Sequence, residues 1–256
     1  ASVVPLKVQA RYAAIVVESQ SGEVLFSRNA NSALYPASLT KMMTLYLAFE
    51  ALSTRTLSLE QRLSVSNRAA GQTPSKLGLR AGQQIAVEDA IIAVVAKSAN
   101  DAATVLAEAL ARTEVDFAKL MTKKARKLGM KRTTFRNATG LPNRRQRSTA
   151  KDMARLAQAL LRDYPEYYHF FSIRGFNYNG RKYDNHNHLL DTYAGTDGIK
   201  TGYIRASGFN VVASVERNGQ RLIGVVFGGR TAQSRDKHIR QLFNRAFESL
   251  EKDTVR

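Results

Sequence analysis

The segment Phe209-Asn-Val-Val-Ala-Ser-Val-Glu-Arg217, the dipeptide Asn218-Gly219 and the segment Arg221-Leu-Ile-Gly-Val-Val-Phe227 decide the fold. Two runs rich in β-branched residues joined by Asn-Gly specify a β-hairpin, because the tightest hairpin turn needs positive φ at both central positions. Working outward, a helix is predicted downstream from about Ser234 to Leu250, and strands upstream near Ile173–Tyr178 and Arg181–Asp184. At the other end, Tyr12–Glu18 and Val24–Arg28 flank a Ser21-Gly22 turn and read as a second hairpin. Helical patterns fill the middle: Leu39–Leu52, a largely apolar Ile85–Ala96, Asp101–Arg112, Val115–Leu128 closed by Gly129, and Thr149–Arg162. Thr149 with Asp152 resembles a capping box. Strands at both ends and helices between them predict an α/β fold, strictly α+β. One antiparallel sheet forms from the terminal segments and is backed by terminal helices, with a mainly helical lobe at roughly 60–165 inserted in a single domain spanning 1–256. A site would lie in the cleft between the lobes.

Composition narrows the function classes. The 256 residues include 39 Lys and Arg against 21 Asp and Glu, a net charge of +18, with 44% hydrophobic residues and no Cys. That apolar content can build a core, so disorder is excluded. Without cysteine there is neither a disulfide scaffold nor a thiolate metal site. The longest clean apolar run, Ile91–Ala96, falls far short of the roughly 20 residues of a membrane-spanning helix. The charge points to an anionic partner: nucleic acid, a membrane face or an anionic envelope polymer. No basic stripe interleaves with aromatics, so no nucleic-acid partner is expected. The denser basic stretches, Lys123 to Arg132 and Arg144 to Arg147, read most simply as solvated surface. The opening Ala1-Ser2-Val3-Val4-Pro5 carries no signal peptide and fits a processed N-terminus, and the absence of Cys is compatible with export.

Three short motifs carry candidate chemistry: Ser38-Leu-Thr-Lys41, Ser98-Ala-Asn100 and Lys200-Thr-Gly202. Ser-x-x-Lys occurs four times, beginning at Ser38, Ser148, Ser234 and Ser249, so context must choose. Ser38 follows Pro36-Ala37 and opens an apolar helical run. It could be a helix N-cap or a nucleophile with Lys41 as its base, three residues on along the same face. A lysine works as a base only if its amine is driven neutral. Burial, the positive helix end and a second cation such as Lys200 would all do so. Ser98 and Asn100 could cap the next helix, or relay a proton and hold substrate. Lys200-Thr201-Gly202 could be an exposed turn, or an edge strand lying along a substrate, with Gly202 allowing close approach.

The order Ser38, Ser98, Lys200 resembles the penicillin-recognising serine enzymes. The flanks Tyr35-Pro-Ala-Ser-Leu-Thr-Lys-Met-Met-Thr44, Ala96-Lys-Ser-Ala-Asn-Asp-Ala-Ala103, Asn137-Ala-Thr-Gly-Leu-Pro142, Asp197-Gly-Ile-Lys-Thr-Gly-Tyr203 and Phe227-Gly-Gly-Arg230 narrow it. They resemble the D-alanyl-D-alanine carboxypeptidases, the low-molecular-mass penicillin-binding proteins, from about Ala10 to Leu250. The resemblance implies a β-lactamase-like fold and removal of the terminal D-alanine from peptidoglycan pentapeptide stems through an acyl-enzyme that β-lactams also form. It implies Ser38 as nucleophile, Lys41 as base, Ser98 as proton relay and Asn100 holding Lys41 and substrate. Lys200, Thr201 and Arg235 would meet the substrate carboxylate. The N–H groups of Ser38 and Tyr203, beside Gly202, would form the oxyanion hole. It implies action outside the cytoplasm in cell-wall biogenesis, with no cofactor, no metal and no nucleic acid, and the charge allows an anionic membrane surface as a partner.

Two departures stand out. Many relatives carry a His just before Ser148-Thr149, where this chain has Arg145-Gln-Arg147, and many continue into a β-rich second domain and a membrane-surface helix. Two other functions compete with the peptidase: a serine β-lactamase and a basic, non-enzymatic envelope-binding protein. The first would need a deacylating Glu, and Glu166 in Pro165-Glu-Tyr-Tyr-His169 reads as surface or structural. Asn185-His-Asn-His188 has two His but no third ligand nearby, so a structural use is expected there too.

Overall fold

The computed structural model describes residues 11–254, and the opening Ala1–Pro5 lies outside them. The N-terminal hairpin forms from β1 (Ala13–Glu18) and β2 (Val24–Arg28). A 3₁₀ turn at Ala37–Thr40 leads into α1 (Lys41–Ser53). The middle holds β3 (Arg62–Ser64), α2 (Asn67–Ala70), β4 (Gln84–Ala86), α3 (Val87–Ala96), α4 (Asn100–Leu110), α5 (Glu114–Lys127) and α6 (Ala150–Asp163). The ribbon β5 (Gly175–Tyr178) and β6 (Arg181–Asp184) follows, then α7 (Leu189–Thr192). Strands β7 (Thr196–Ile204), β8 (Gly208–Arg217) and β9 (Gln220–Gly229) precede the long α8 (Ala232–Thr254).

The main sheet runs β2-β1-β9-β8-β7, antiparallel throughout, so both chain ends build it and β7 is an edge. Asn218 and Gly219 have φ of 51° and 76°, as the predicted turn demands. Alternation along the strands sorts the core into two layers. Val211, Ala213, Val215 and Val226 face Ile239 and Phe243 of α8. Val212, Ile223, Val225 and Phe227 face inward with Leu39, Met42, Leu156 and Leu160. Helix α1 has nearly every side chain buried, being packed by α3, α4, α5 and α6.

Local differences from the sequence reading have physical causes. The helix expected from Ile85 begins at Val87, because Ile85 pairs with Leu63 in the β3–β4 ribbon and Ala86 is extended. Glu88 and Asp89 then occupy the positive first turn. The capping box is half formed. Thr149 Oγ1 accepts from the Asp152 N–H at 3.0 Å, but the Asp152 carboxylate accepts instead from the Arg132 N–H and the Thr133 hydroxyl. Strands β5 and β6 pair only with each other. Helix α6, inside the 60–165 range assigned to the helical lobe, packs against β1 and β9 of the sheet.

Candidate active site

Ser38 sits in a turn held from three sides. Ala37 has a φ of 49°, in the left-handed region where a residue with a side chain is strained. From β8, Asn210 Nδ2 donates to the carbonyls of Tyr35 at 3.1 Å and Pro36 at 3.4 Å. Two glycines make room for the turn: a Cβ on Gly140 would lie 1.9 Å from the Ala37 carbonyl oxygen, and one on Gly202 would lie 2.8 Å from the Ser38 nitrogen. The N-cap reading of Ser38 does not hold, since Thr40 occupies the cap position of α1 and no side chain closes it.

Lys41 is fully buried at the start of α1. Its Nζ reaches the Thr139 carbonyl at 2.6 Å, Asn100 Oδ1 at 2.7 Å and Ser38 Oγ at 3.1 Å. The first two partners only accept, so they claim two N–H bonds. A neutral amine has only two N–H bonds, and its lone pair is then directed at the Ser38 hydroxyl. Burial, followed by the positive charge of Lys200, holds the Lys41 amine well below the usual lysine range, against the opposing pull of Asp101. The Asp101 carboxylate is itself occupied by the N–H groups of Leu77, Gly78 and Leu79, and so ties that segment to α4.

Asn100 is fixed as well as fixing: its Nδ2 donates to the Thr73 carbonyl at 2.7 Å. Ser98, with a φ of 56°, is 6% exposed, and its Oγ has no hydrogen-bond partner. It is not bonded to Lys41, unlike Ser38 and Asn100. Lys200, on the edge strand β7, is 1% exposed and donates to the Thr201 carbonyl at 3.0 Å. Burial and then Arg235 push its amine down to about 7. Arg235, near the start of α8, is 4% exposed, paired with Asp236, and donates to the Asn210 carbonyl at 3.3 Å. Tyr203 is 53% exposed and packs on the Phe209 ring.

These residues meet in one cleft of about 360 Å³. Ser38, Ser98, Asn100, Thr139, Thr201, Gly202, Tyr203 and Arg235 line it, Gly202 lying directly against Ser38, and Lys200 is buried. The other Ser-x-x-Lys serines lie elsewhere: Ser148 is buried against Thr133, Ser234 bonds within the first turn of α8, and Ser249 lies far along that helix. No carboxylate lines the cleft among the described residues, and Glu166 sits on an exposed turn outside it. His186 does line the cleft, although the sequence reading gave it only a structural use. Among the described residues no group of three His, Cys, Asp or Glu side chains is placed to hold a metal ion. Sequence reasoning missed Thr139, whose contribution is a backbone carbonyl, as well as Asp101 and Asn210. For Thr139 the available signal was the Asn137–Pro142 motif, which carried the resemblance but had no role.

A profile of the D-alanyl-D-alanine carboxypeptidase family, peptidase S11, matches residues 1–231. The chain belongs to the D-alanyl-D-alanine carboxypeptidase family. It is 38% identical over 244 residues to the D-alanyl-D-alanine carboxypeptidase DacC of Escherichia coli, covering 93% of this chain and 61% of DacC. It is 34% identical over 249 residues to DacF of Bacillus subtilis, covering 93% of this chain and 62% of DacF. The chain therefore spans about three fifths of the length of these curated relatives. Among solved structures, penicillin-binding protein 5 of Haemophilus influenzae superposes with a TM-score of 0.88 at 34% identity, over 94% of this chain and 72% of that one. Penicillin-binding protein D2 of Listeria monocytogenes in its ampicillin-bound form superposes with a TM-score of 0.81 at 33% identity, over 96% of this chain and all of that one. The carboxypeptidase family thus supplies the fold, a sheet and a helical lobe meeting at a cleft.

Proposed function

We propose that this protein is a serine-type D-Ala-D-Ala carboxypeptidase that removes the terminal D-alanine from peptidoglycan pentapeptide stems and is acylated by β-lactams. The observation that carries the reading is the triple contact of Lys41. With Thr139 and Asn100 occupying two N–H bonds, the amine accepts the Ser38 proton as Oγ attacks the carbonyl of the last peptide bond. The N–H groups of Ser38 and Tyr203 hold the developing oxyanion, each such donor being worth about 10²–10³ in rate. The proton then passes to the departing D-alanine nitrogen through Ser98. An unpartnered buried hydroxyl costs about 1–3 kcal/mol, which suits a group reserved for the reacting complex. The terminal carboxylate lies against Thr201, with Lys200 and Arg235 supplying positive charge. Water finally hydrolyses the acyl-enzyme.

The reading extends to work outside the cytoplasm, including the periplasm, and to an anionic membrane surface matching the +18 charge. No helix among the described residues is long and apolar enough to cross a membrane. Among the described residues no carboxylate lines the cleft, which disfavours β-lactamase turnover, and the assembled serine–lysine pair disfavours a purely binding role. The test is D-alanine release from a purified pentapeptide stem. Release by the wild type and none by Ser38→Ala or Lys41→Ala supports the reading, whereas undiminished release by either variant overturns it.

A further inference from the structure

Between Phe117 and Lys151 the chain carries twelve Lys and Arg and no Asp or Glu, so this segment alone holds +12 of the net +18. In sequence the charges form two separated stretches; in the fold they form one surface. Helix α5 exposes Lys119, Lys123 and Lys127. After Gly129 the chain turns back, and Thr134 pairs with Arg147 through two backbone hydrogen bonds of 2.8 and 3.0 Å. That antiparallel pairing sets Arg145 beside Arg136, which shares a groove with Lys119 of α5, while Lys131 and Arg132 follow directly on the end of α5. Lys131, Arg132, Arg136, Arg144 and Arg145 are all exposed. Lys119 pairs with Asp116 and Lys124 with Glu50, but Lys123, Lys127, Lys131, Arg132, Arg144 and Arg145 have no carboxylate partner among the described residues. A merely solvated face would mix both signs.

The same face is also apolar in places. Val115 is 59% exposed and Leu120 is 42% exposed, both on α5 among its lysines. Beside Val115 runs a groove of about 280 Å³, lined by Val115, Ala118, Thr122 and Phe135 together with Lys119 and Arg136. A soluble polyanion needs only the cations. Exposed aliphatic side chains set within a cationic field are the composition of a face that lies in a lipid headgroup region. We propose that this face docks the protein on an anionic lipid bilayer, its Lys and Arg side chains against headgroup phosphates and Val115 and Leu120 at the acyl boundary. The inference rests on the membrane-surface part of the proposed function and is independent of the peptidase chemistry. The segment between the two basic stretches supplies Thr139, Gly140 and Leu141 to the cleft wall, so docking here sets the cleft's position relative to the bilayer.

The test is co-sedimentation of the full chain with vesicles of phosphatidylcholine, alone or mixed with phosphatidylglycerol. The wild type is expected to bind only the mixed vesicles, more weakly as salt rises. Replacing Lys123, Lys127, Arg132 and Arg144 together by Gln should weaken binding by about a hundredfold or more, each cation near the surface being worth roughly fivefold. Val115→Ser with Leu120→Ser should weaken it by about tenfold with no change of charge. Arg181→Gln, Lys182→Gln, Lys237→Gln and Lys252→Gln remove the same charge elsewhere and should leave binding near the wild-type level. Covalent labelling by a fluorescent penicillin reports the fold of every variant, and its failure in the wild type would count against the peptidase reading alone. The docking proposal is overturned if both sets of Gln variants weaken binding equally. It is also overturned if soluble polyphosphate binds as tightly as vesicles and the Val115/Leu120 variant behaves as wild type.

Discussion

Asn100 Oδ1 lies 2.7 Å from Lys41 Nζ, and this contact joins the start of α4 to the start of α1 across the floor of the cleft. The amide is neutral, so it orients the amine without stabilising its protonated form as a carboxylate would. Asn100→Asp, nearly the same shape, should therefore raise the Lys41 pKa by about 1–3 units. The acid limb of the penicillin acylation rate against pH should move up by that amount, and the rate at pH values on that limb should fall about 10–10³-fold. An unmoved acid limb would show that Lys41 does not supply the base.

Gly202 faces the nucleophile turn with no space for a side chain, its notional Cβ being 2.8 Å from the Ser38 nitrogen and 3.1 Å from that of Leu39. Both neighbours are backbone and cannot rotate aside. Gly202→Ala should cost about 1–3 kcal/mol in stability, the range for overpacking. It should lower the acylation rate at least tenfold by displacing the Ser38 N–H or β7. Urea unfolding and stopped-flow acylation measure the two effects, and wild-type acylation in this variant would mean that the close approach is dispensable.

Lys200 makes stability depend on pH with a definite sign. Its folded pKa is lowered to about 7 from 10.5, so between those values the unfolded chain binds more protons than the folded one. Stability from this group therefore rises with pH through that window, and its full cost is present below about 7. Urea unfolding at several pH values should show a stability gain from pH 7 to 10 that is smaller in Lys200→Met. Equal gains in the two proteins would contradict burial of a readily neutralised amine.

Glu166 gives a sharp contrast with β-lactamase chemistry. It stands on an exposed turn, its backbone carbonyl hydrogen-bonded to His169 and its side chain outside the cleft. Glu166→Gln should leave the lifetime of the penicilloyl-enzyme, read by loss of fluorescent label, within about twofold of wild type, as expected for a surface change. A lifetime lengthened many-fold would place this carboxylate in deacylation.

Much of the fold was legible because the hairpin at Asn218-Gly219 and the periodicity of α5 and α6 are local signals. The edge position of Lys200-Thr201-Gly202 was one of two readings the motif left open, and the gathering of Ser38, Lys41 and Lys200 was expected only from motif order and resemblance. What escaped the sequence was of another kind. Ile85 looked helical because a short apolar run does not distinguish strand from helix, and only its pairing with Leu63 decides. The carbonyl of Thr139 is backbone, which a side-chain pattern leaves blank, and the side-chain amide of Asn210 lies within a strand whose apolar pattern gives no sign of its partners at Tyr35 and Pro36. His186 was judged by metal-ligand spacing, which says nothing about the wall of a cleft. The basic face of α5 became one surface only when Thr134 met Arg147.

The most direct measurement of the central claim, that Lys41 activates Ser38, is intact-protein mass spectrometry after exposure to a penicillin, followed by peptide mapping. The account predicts a gain of one whole penicillin molecule on the peptide carrying Ser38, greatly slowed in Lys41→Ala and absent in Ser38→Ala. An adduct that persists in Ser38→Ala, or that maps to Ser98, would contradict it.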